Sequence, residues 1–147
     1  MKDIRIRKTD WASDGPALSA IRRQVFIEEQ KVPEDMAWDE EDATGTHFIA
    51  DTPDGQAVGC TRLLPGGQIS RLSVLENRRS EGIGRALLDA ALAEAAAQGL
   101  REVFLHAQTH ATSFYEASGF SVDGGIFLEA GIPHRLMVKI LPLGASR

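Results

Sequence analysis

The chain has 147 residues with 16 Lys and Arg against 21 Asp and Glu, a formal net charge of −5, which argues against a nucleic-acid binder working through a basic surface. With 43% hydrophobic residues this length fills one core, so a single domain over residues 1–147 is expected. The lone cysteine, Cys60, excludes an internal disulfide and a Cys-rich metal site, no apolar run is long enough to span a bilayer, and the alternating Met1–Lys8 stretch lacks a signal peptide's apolar core, so a cytoplasmic protein is expected.

Ile4 and Ile6 alternate with Arg5 and Arg7, which predicts a first strand over residues 3–8. Ser13-Asp14-Gly15-Pro16 supplies a cap and an N-terminal proline for a helix through Gln30, with Leu18, Ile21 and Val25 as its buried stripe. Pro33 stops that segment. The acidic run Asp39-Glu40-Glu41-Asp42 that follows reads as a solvated loop, the alternative being an acceptor-facing wall that attracts a cationic amine. Residues 46–51 and 57–64 flank Pro53-Asp54-Gly55 and form a hairpin, and Pro65-Gly66-Gly67 leads to a third alternating strand ending at Val74.

A helix over 82–98 carries Ile83, Leu87, Leu88, Ala91, Leu92 and Ala95 on one face, with Gly99 as its C-terminal cap. Residues 102–108 read as a strand buried on both faces, 111–118 as a short helix closed by Gly119, and 121–128 and 133–140 as two strands joined at Ala130-Gly131. The order β-α-β-β-β-α-β-α-β-β belongs to an α/β fold.

The chemistry-bearing stretch is Arg78 to Leu88, where a basic, glycine-punctuated loop runs into the 82–98 helix. The first N–H groups of a helix have no intrahelical partner and carry partial positive charge, so a phosphate is bound there by the main chain. Gly82 and Gly84 remove the Cβ atoms that would obstruct a pyrophosphate, and Arg78, Arg79 and Arg85 add charged donors. A P-loop would need a Lys that is absent here, and Leu87 stands where a dinucleotide fingerprint needs its third glycine.

Arg79-x-x-Gly82-x-Gly84 resembles the pyrophosphate loop of the GCN5-related N-acetyltransferase (GNAT) superfamily, and Ala111-x-x-Phe114-Tyr115-Glu116-x-x-Gly119-Phe120 is similar to its second diagnostic segment. Val25–Gln30, His106–Ala111 and Gly131–His134 further resemble the small bacterial group described as ElaA-like or YjcF-like acetyltransferases. The resemblance covers roughly residues 4–140. It implies the acyl-CoA N-acyltransferase fold, a mixed, mostly antiparallel sheet flanked by helices. It also implies acetyl-coenzyme A as co-substrate, a small-molecule or peptide amine as acceptor, and direct transfer without a covalent enzyme intermediate. The implied cofactor-binding set is Leu72, Ser73 and Val74 through their main chain, Arg79, Ser80, Glu81, Gly82, Ile83, Gly84 and Arg85 around the pyrophosphate, and Gln108, Phe114 and Tyr115. Gln108 departs from the Asn usual in the superfamily.

By the same resemblance Tyr115 is the general acid for the leaving thiolate. The base for the amine stays open, with Glu28 and His106 as the leading candidates beside Glu29, Glu76, His134 and bulk solvent. No metal site is expected, because His106 and His110 span a strand end and a helix start and cannot share one helical face. Cys60, in mid-strand, reads as a structural thiol. No nucleic-acid or membrane partner is expected, and a homodimer is left open. The competing reading is a non-catalytic acyl-coenzyme A binding regulatory module.

Overall fold

The computed structural model describes residues 3–142, so Met1 and Lys2 of the alternating N-terminal stretch lie outside it. Seven strands and three α-helices follow in chain order: β1 (Arg5–Thr9), α1 (Trp11–Arg22), β2 (Thr46–Asp51), β3 (Ala57–Leu63), β4 (Ile69–Val74), α2 (Ile83–Ala97), β5 (Glu102–Gln108), α3 (Thr112–Glu116), β6 (Ser121–Glu129) and β7 (Ile132–Ile140). The element order matches the expectation. The strands form two antiparallel sheets, β1-β2-β3-β4 and β5-β7-β6, joined by one parallel bridge between Gln68 and Phe104.

The first sheet is covered on both faces. A Cβ on Gly59 would meet Leu87 and Ile83 of α2 at 3.1 and 3.3 Å, so the missing side chain lets that helix lie close against β3. The neighbouring Cys60 points the opposite way, toward Arg22 of α1. Strands β2 and β3 are accordingly buried almost throughout, without polar alternation. Leu18, Ile21 and Val25 join Ile83, Leu87, Leu88, Ala91 and Ala95 in the core, as their helical spacing predicts, and Leu92 is only partly buried.

Four local expectations need correction. The cap of α1 is Asp10, whose side chain accepts from the Ser13 N–H at 2.8 Å, and not Ser13. Pro16 offers no N–H to continue a regular helix, and the backbone breaks just before it, at Asp14 (φ −130°, ψ 20°); the Asp14 carboxylate instead accepts from Arg7 at 2.8 Å and from Thr9. Beyond Arg22 the helix does not continue as α: Arg23–Glu29 form wide π turns, with the Gln30 N–H donating to the Val25 carbonyl five residues back. Strand β5 is fully buried only along Val103, Leu105 and Ala107; on its other face Glu102 and His106 are exposed and Phe104 and Gln108 half-buried.

The acidic run is not simply solvated. Asp39 caps a tight turn over Glu40–Ala43 in a reciprocal capping box with Asp42, and Asp42 is 2% exposed. Asp42 accepts from Nη1 of the fully buried Arg22 at 2.9 Å, lies 2.9 Å from its Nη2 and accepts from Arg62 at 2.9 Å, while Arg62 and Arg71 share Asp39 at 2.8 and 3.0 Å. Burial alone would raise the Asp42 carboxyl, but the hydrogen bonds and charges of its arginine partners outweigh that and hold it below the usual carboxylate range.

Asp42→Ala leaves buried guanidinium charge uncompensated and should cost about 3–5 kcal/mol of folding stability in urea unfolding. A loss below about 1 kcal/mol would mean that the cluster holds nothing together. Because the folded carboxyl is depressed, its contribution is present above the unfolded value of about 3.9 and is lost as pH falls through the folded one. Wild-type stability should therefore drop below about pH 4 more steeply than that of Asp42→Asn.

Candidate functional site

The site is the gap between the two sheets. Past the Gln68–Phe104 bridge, β4 and β5 share no further pairing. The β3–β4 register shifts between Cys60 and Arg62, and opposite that shift Arg71 adopts a left-handed backbone (φ 58°), a bulge that bends β4 away. The opening is a cavity of about 540 Å³, and a second of about 370 Å³ adjoins it, the two sharing Phe26, Gln68, Arg71, His106, Gln108, Glu129 and His134 in their walls.

At one end lies the start of α2. Its cap, Gly82, sits at φ 86°, a conformation that needs glycine, and offers no side chain to occupy the first-turn N–H groups. A Cβ on Gly84 would point at Phe114 and Val74 at 3.6 and 3.8 Å, both of them cavity walls, so the glycine keeps this end of the cavity open. Arg79 donates from Nε to the Val74 carbonyl at 3.0 Å and from both Nη atoms to Glu29 at 2.6 Å. Hydrogen bonds from Arg79 hold the Glu29 carboxyl below its ordinary range, so Glu29 is a tethered anion and not a free base.

Of the loop residues, Ser80, Gly82, Ile83, Gly84 and Arg85 border the cavity, together with Arg78 and Arg79. Glu81 does not: it turns toward Arg78, 3.3 Å away. The left-handed residues Ser80 (φ 67°) and Gly82 turn the chain on either side of Glu81.

Along the middle, Leu72, Ser73 and Val74 of β4 border the cavity, facing Phe114 and Tyr115 of α3. The Tyr115 ring makes edge contacts with Phe114 and Phe120, at 5.0 and 6.0 Å between centroids. That apolar setting pushes its phenol up to about 12, so the hydroxyl keeps its proton at neutral pH. The Cys60 thiol is buried and likewise pushed up, to about 11, which makes it a structural residue.

The far end holds the imidazoles. His106 Nδ1 lies 2.8 Å from Glu129 Oε1, and the ring meets Phe127 edge-on. Gln108 donates to Gln30 at 3.0 Å and accepts from His110 at 2.8 Å, so its amide bridges the π turns and the chain after β5. His134, opposite Gln108 on β7, borders both cavities. Glu28, by contrast, is exposed on the π turns and borders neither cavity, because the wider turn directs Phe26 and Gln30 inward instead. The second cavity adds Trp38, Met36 and the acidic-run residues Asp39 and Glu41; Asp39 is neutralised by its two arginines and Glu41 is exposed.

Residues 11–141 match the family model described as an acetyltransferase (GNAT) domain. The N-acetyltransferase YjcF of Bacillus subtilis, described as uncharacterized, is 36% identical over 122 residues, which covers 81% of this chain and 87% of that one. Among solved structures, an acyl-CoA N-acyltransferase from Pseudomonas aeruginosa superposes with a TM-score of 0.80 at 30% identity over 92% of this chain and 99% of that one. ElaA of Escherichia coli gives a TM-score of 0.81 at 28% identity over the same shares of the two chains.

Tyr115 is the chain's one tyrosine, so its ionisation is directly visible in the ultraviolet. The native protein should show a tyrosinate transition centred near pH 12, against about 10 in denaturant. A raised phenol favours the folded state fully below about pH 10, and that contribution is lost as pH rises toward 12. A native transition near 10 would place the hydroxyl in water and remove it from the apolar site.

Proposed function

Because the chain belongs to the acetyltransferase (GNAT) family, whose members use an acyl-coenzyme A as co-substrate for acyl transfer, we propose that it moves an acetyl group from acetyl-coenzyme A directly to a primary amine of a small molecule or peptide. The observation that carries the reading is the cleft with a helix start that has no side-chain cap at one end, a protonated phenol beside its middle and imidazoles at the other end.

The residues fit such a co-substrate. The open N-terminus of α2, unobstructed at Gly84, suits a pyrophosphate, with Arg78 and Arg85 as flanking cations. The parted edge of β4 at Leu72–Val74 presents main-chain groups to the amides of a pantetheine arm, as an added strand would use them, although the Val74 carbonyl already accepts from Arg79. A main-chain N–H on that edge also suits the oxyanion that develops when a thioester carbonyl is attacked. Tyr115, kept protonated by its apolar neighbours, donates to the departing thiolate. The acceptor enters through the second cavity, where His106 and His134 are available to take up a proton; Glu28 has no part in this scheme.

Gly84→Val should weaken coenzyme A binding at least tenfold, about 1.4 kcal/mol, in calorimetry. The melting temperature should move little, since the added Cβ finds ordinary contact distances. Unchanged affinity in the folded variant would take this end of the cleft out of the cofactor site. Tyr115→Phe should lower kcat by about 10- to 100-fold and leave coenzyme A affinity as it is, because a thiolate exists only in the transition state and a thiol of pKa about 8.5 is already a tolerable leaving group. Thiol release with an amine panel measures this. Cofactor binding without turnover on any amine would favour the non-catalytic binding module.

A further inference from the structure

His134 stands out among the titratable groups that border both cavities. Arg71, His106 and Glu129 are partly or well exposed, whereas His134 is 6% exposed. Its Nδ1 lies 2.7 Å from the Ile132 carbonyl oxygen. A carbonyl only accepts, so Nδ1 carries the hydrogen, and in the neutral ring Nε2 is then the bare lone pair. The ring cannot easily turn over, because Phe127 stacks on it at 6.0 Å and 27° and because a flip would replace the N–H toward Ile132 with a C–H. Nε2 has no protein partner among the described residues and is not sealed from the cavities. A buried imidazole held in one tautomer, with its basic nitrogen unspent at the junction of two cavities, has no structural use for that nitrogen.

Resting on the acyl-transfer reading above, we infer that His134 is the base of the reaction, and that the acceptor is therefore a primary alkylamine that arrives as its ammonium ion. His134 Nε2 takes one proton from the ammonium and frees the nitrogen lone pair. That lone pair forms the C–N bond to the thioester carbonyl, and the C–S bond breaks as the carbonyl re-forms. The thiolate takes the Tyr115 proton, the second proton shed by the new amide nitrogen replaces it, and His134 returns its own proton to water, so one proton leaves per turnover. The imidazolium formed in between keeps its Nδ1–H bond to Ile132 and lies against the face of Phe127, which suits a cation. His106 is the less suited of the two imidazoles: its ring is exposed on β5 and pinned through Nδ1 to the carboxylate of Glu129, so it borders the cavities without being closed in by them.

The test compares two acceptors in wild type and in His134→Asn, whose amide can still donate to the Ile132 carbonyl. One acceptor is a primary alkylamine that wild type acetylates, an ammonium ion at pH 7.5; the other is its β-trifluoro counterpart, already neutral there and in no need of a base. The variant should lose about 100-fold in kcat/KM with the first and less than about fivefold with the second, with coenzyme A affinity unchanged by calorimetry. Equal losses with both amines, or no loss with either, would overturn the assignment. If the variant does not fold, nitrogen-15 shifts of the wild-type histidine rings decide: the neutral His134 ring should carry its hydrogen on Nδ1, and a neutral ring protonated on Nε2 defeats the proposal. Wild type that binds coenzyme A but releases no thiol with any amine overturns the transfer reading and this assignment together, whereas alkylamine-dependent thiol release that falls less than about fivefold in His134→Asn overturns the assignment alone.

Discussion

Strands β4 and β5 run side by side for a single residue pair and then part. Their join is tight: a Cβ on Gly67 would sit 2.9 Å from the Glu102 carbonyl oxygen, and Gly67 itself is at φ 102°, so only glycine allows the chain to reach the neighbouring strand there. The Phe104 N–H donates to the Gly67 carbonyl at 3.1 Å, which anchors the second sheet at that point. A few residues on, the left-handed Arg71 turns β4 outward. Beyond that point the edge of β4 that would have carried a ladder borders a cavity instead. The cleft, its depth and its strand edge all follow from one tight join and one bulge.

The bend at Arg71 is held from outside the sheet. Arg71 donates to the Ala37 carbonyl at 3.2 Å and to Asp39, and Asp39 in turn shares Arg62 with Asp42, which grips Arg22 of α1. The chain of alternating charges ties helix, acidic turn, β3 and β4 into one body on the side of the second cavity. Replacing such a cluster by apolar residues often stabilises a protein, because desolvating each charge costs several kcal/mol. What the cluster supplies here is position, since it carries the residues of the second cavity's rim.

The π turns after α1 bring together ends of the site that are far apart in sequence. Glu29 reaches Arg79 beside the anion end, Gln30 reaches Gln108 at the imidazole end, and Phe26 sits in the wall of both cavities. A regular α-helix rotates 100° per residue, and the extra residue in each wider turn lets Phe26 and Gln30 face the cleft while Val25 stays in the core. Glu28 is left on the outside for the same reason. Gln108 spends its side-chain amide on Gln30 and His110.

What the sequence alone determined was everything governed by neighbours a few residues apart. The α2 stripe, the hairpin at Pro53-Asp54-Gly55, the glycine-opened helix start and the Ala130-Gly131 turn were all legible, because helical period, turn stereochemistry and the unpaired N–H groups of a helix are local properties. The parting of β4 from β5 was not legible in the residues themselves, since Ile69–Val74 alternates like any paired strand; only the family resemblance implied it. Nor was the fate of the acidic run: Asp42 reads as solvated until Arg22, twenty residues before it, and Arg62, twenty after, are brought to it by the fold. The same holds for Glu29, claimed by Arg79 fifty residues away, and for His134, whose free nitrogen follows from a backbone carbonyl in its own strand and a stacked ring on the next. Charge partners, tautomers and strand edges are settled by which groups meet after the chain has closed. Only the tertiary structure could decide them.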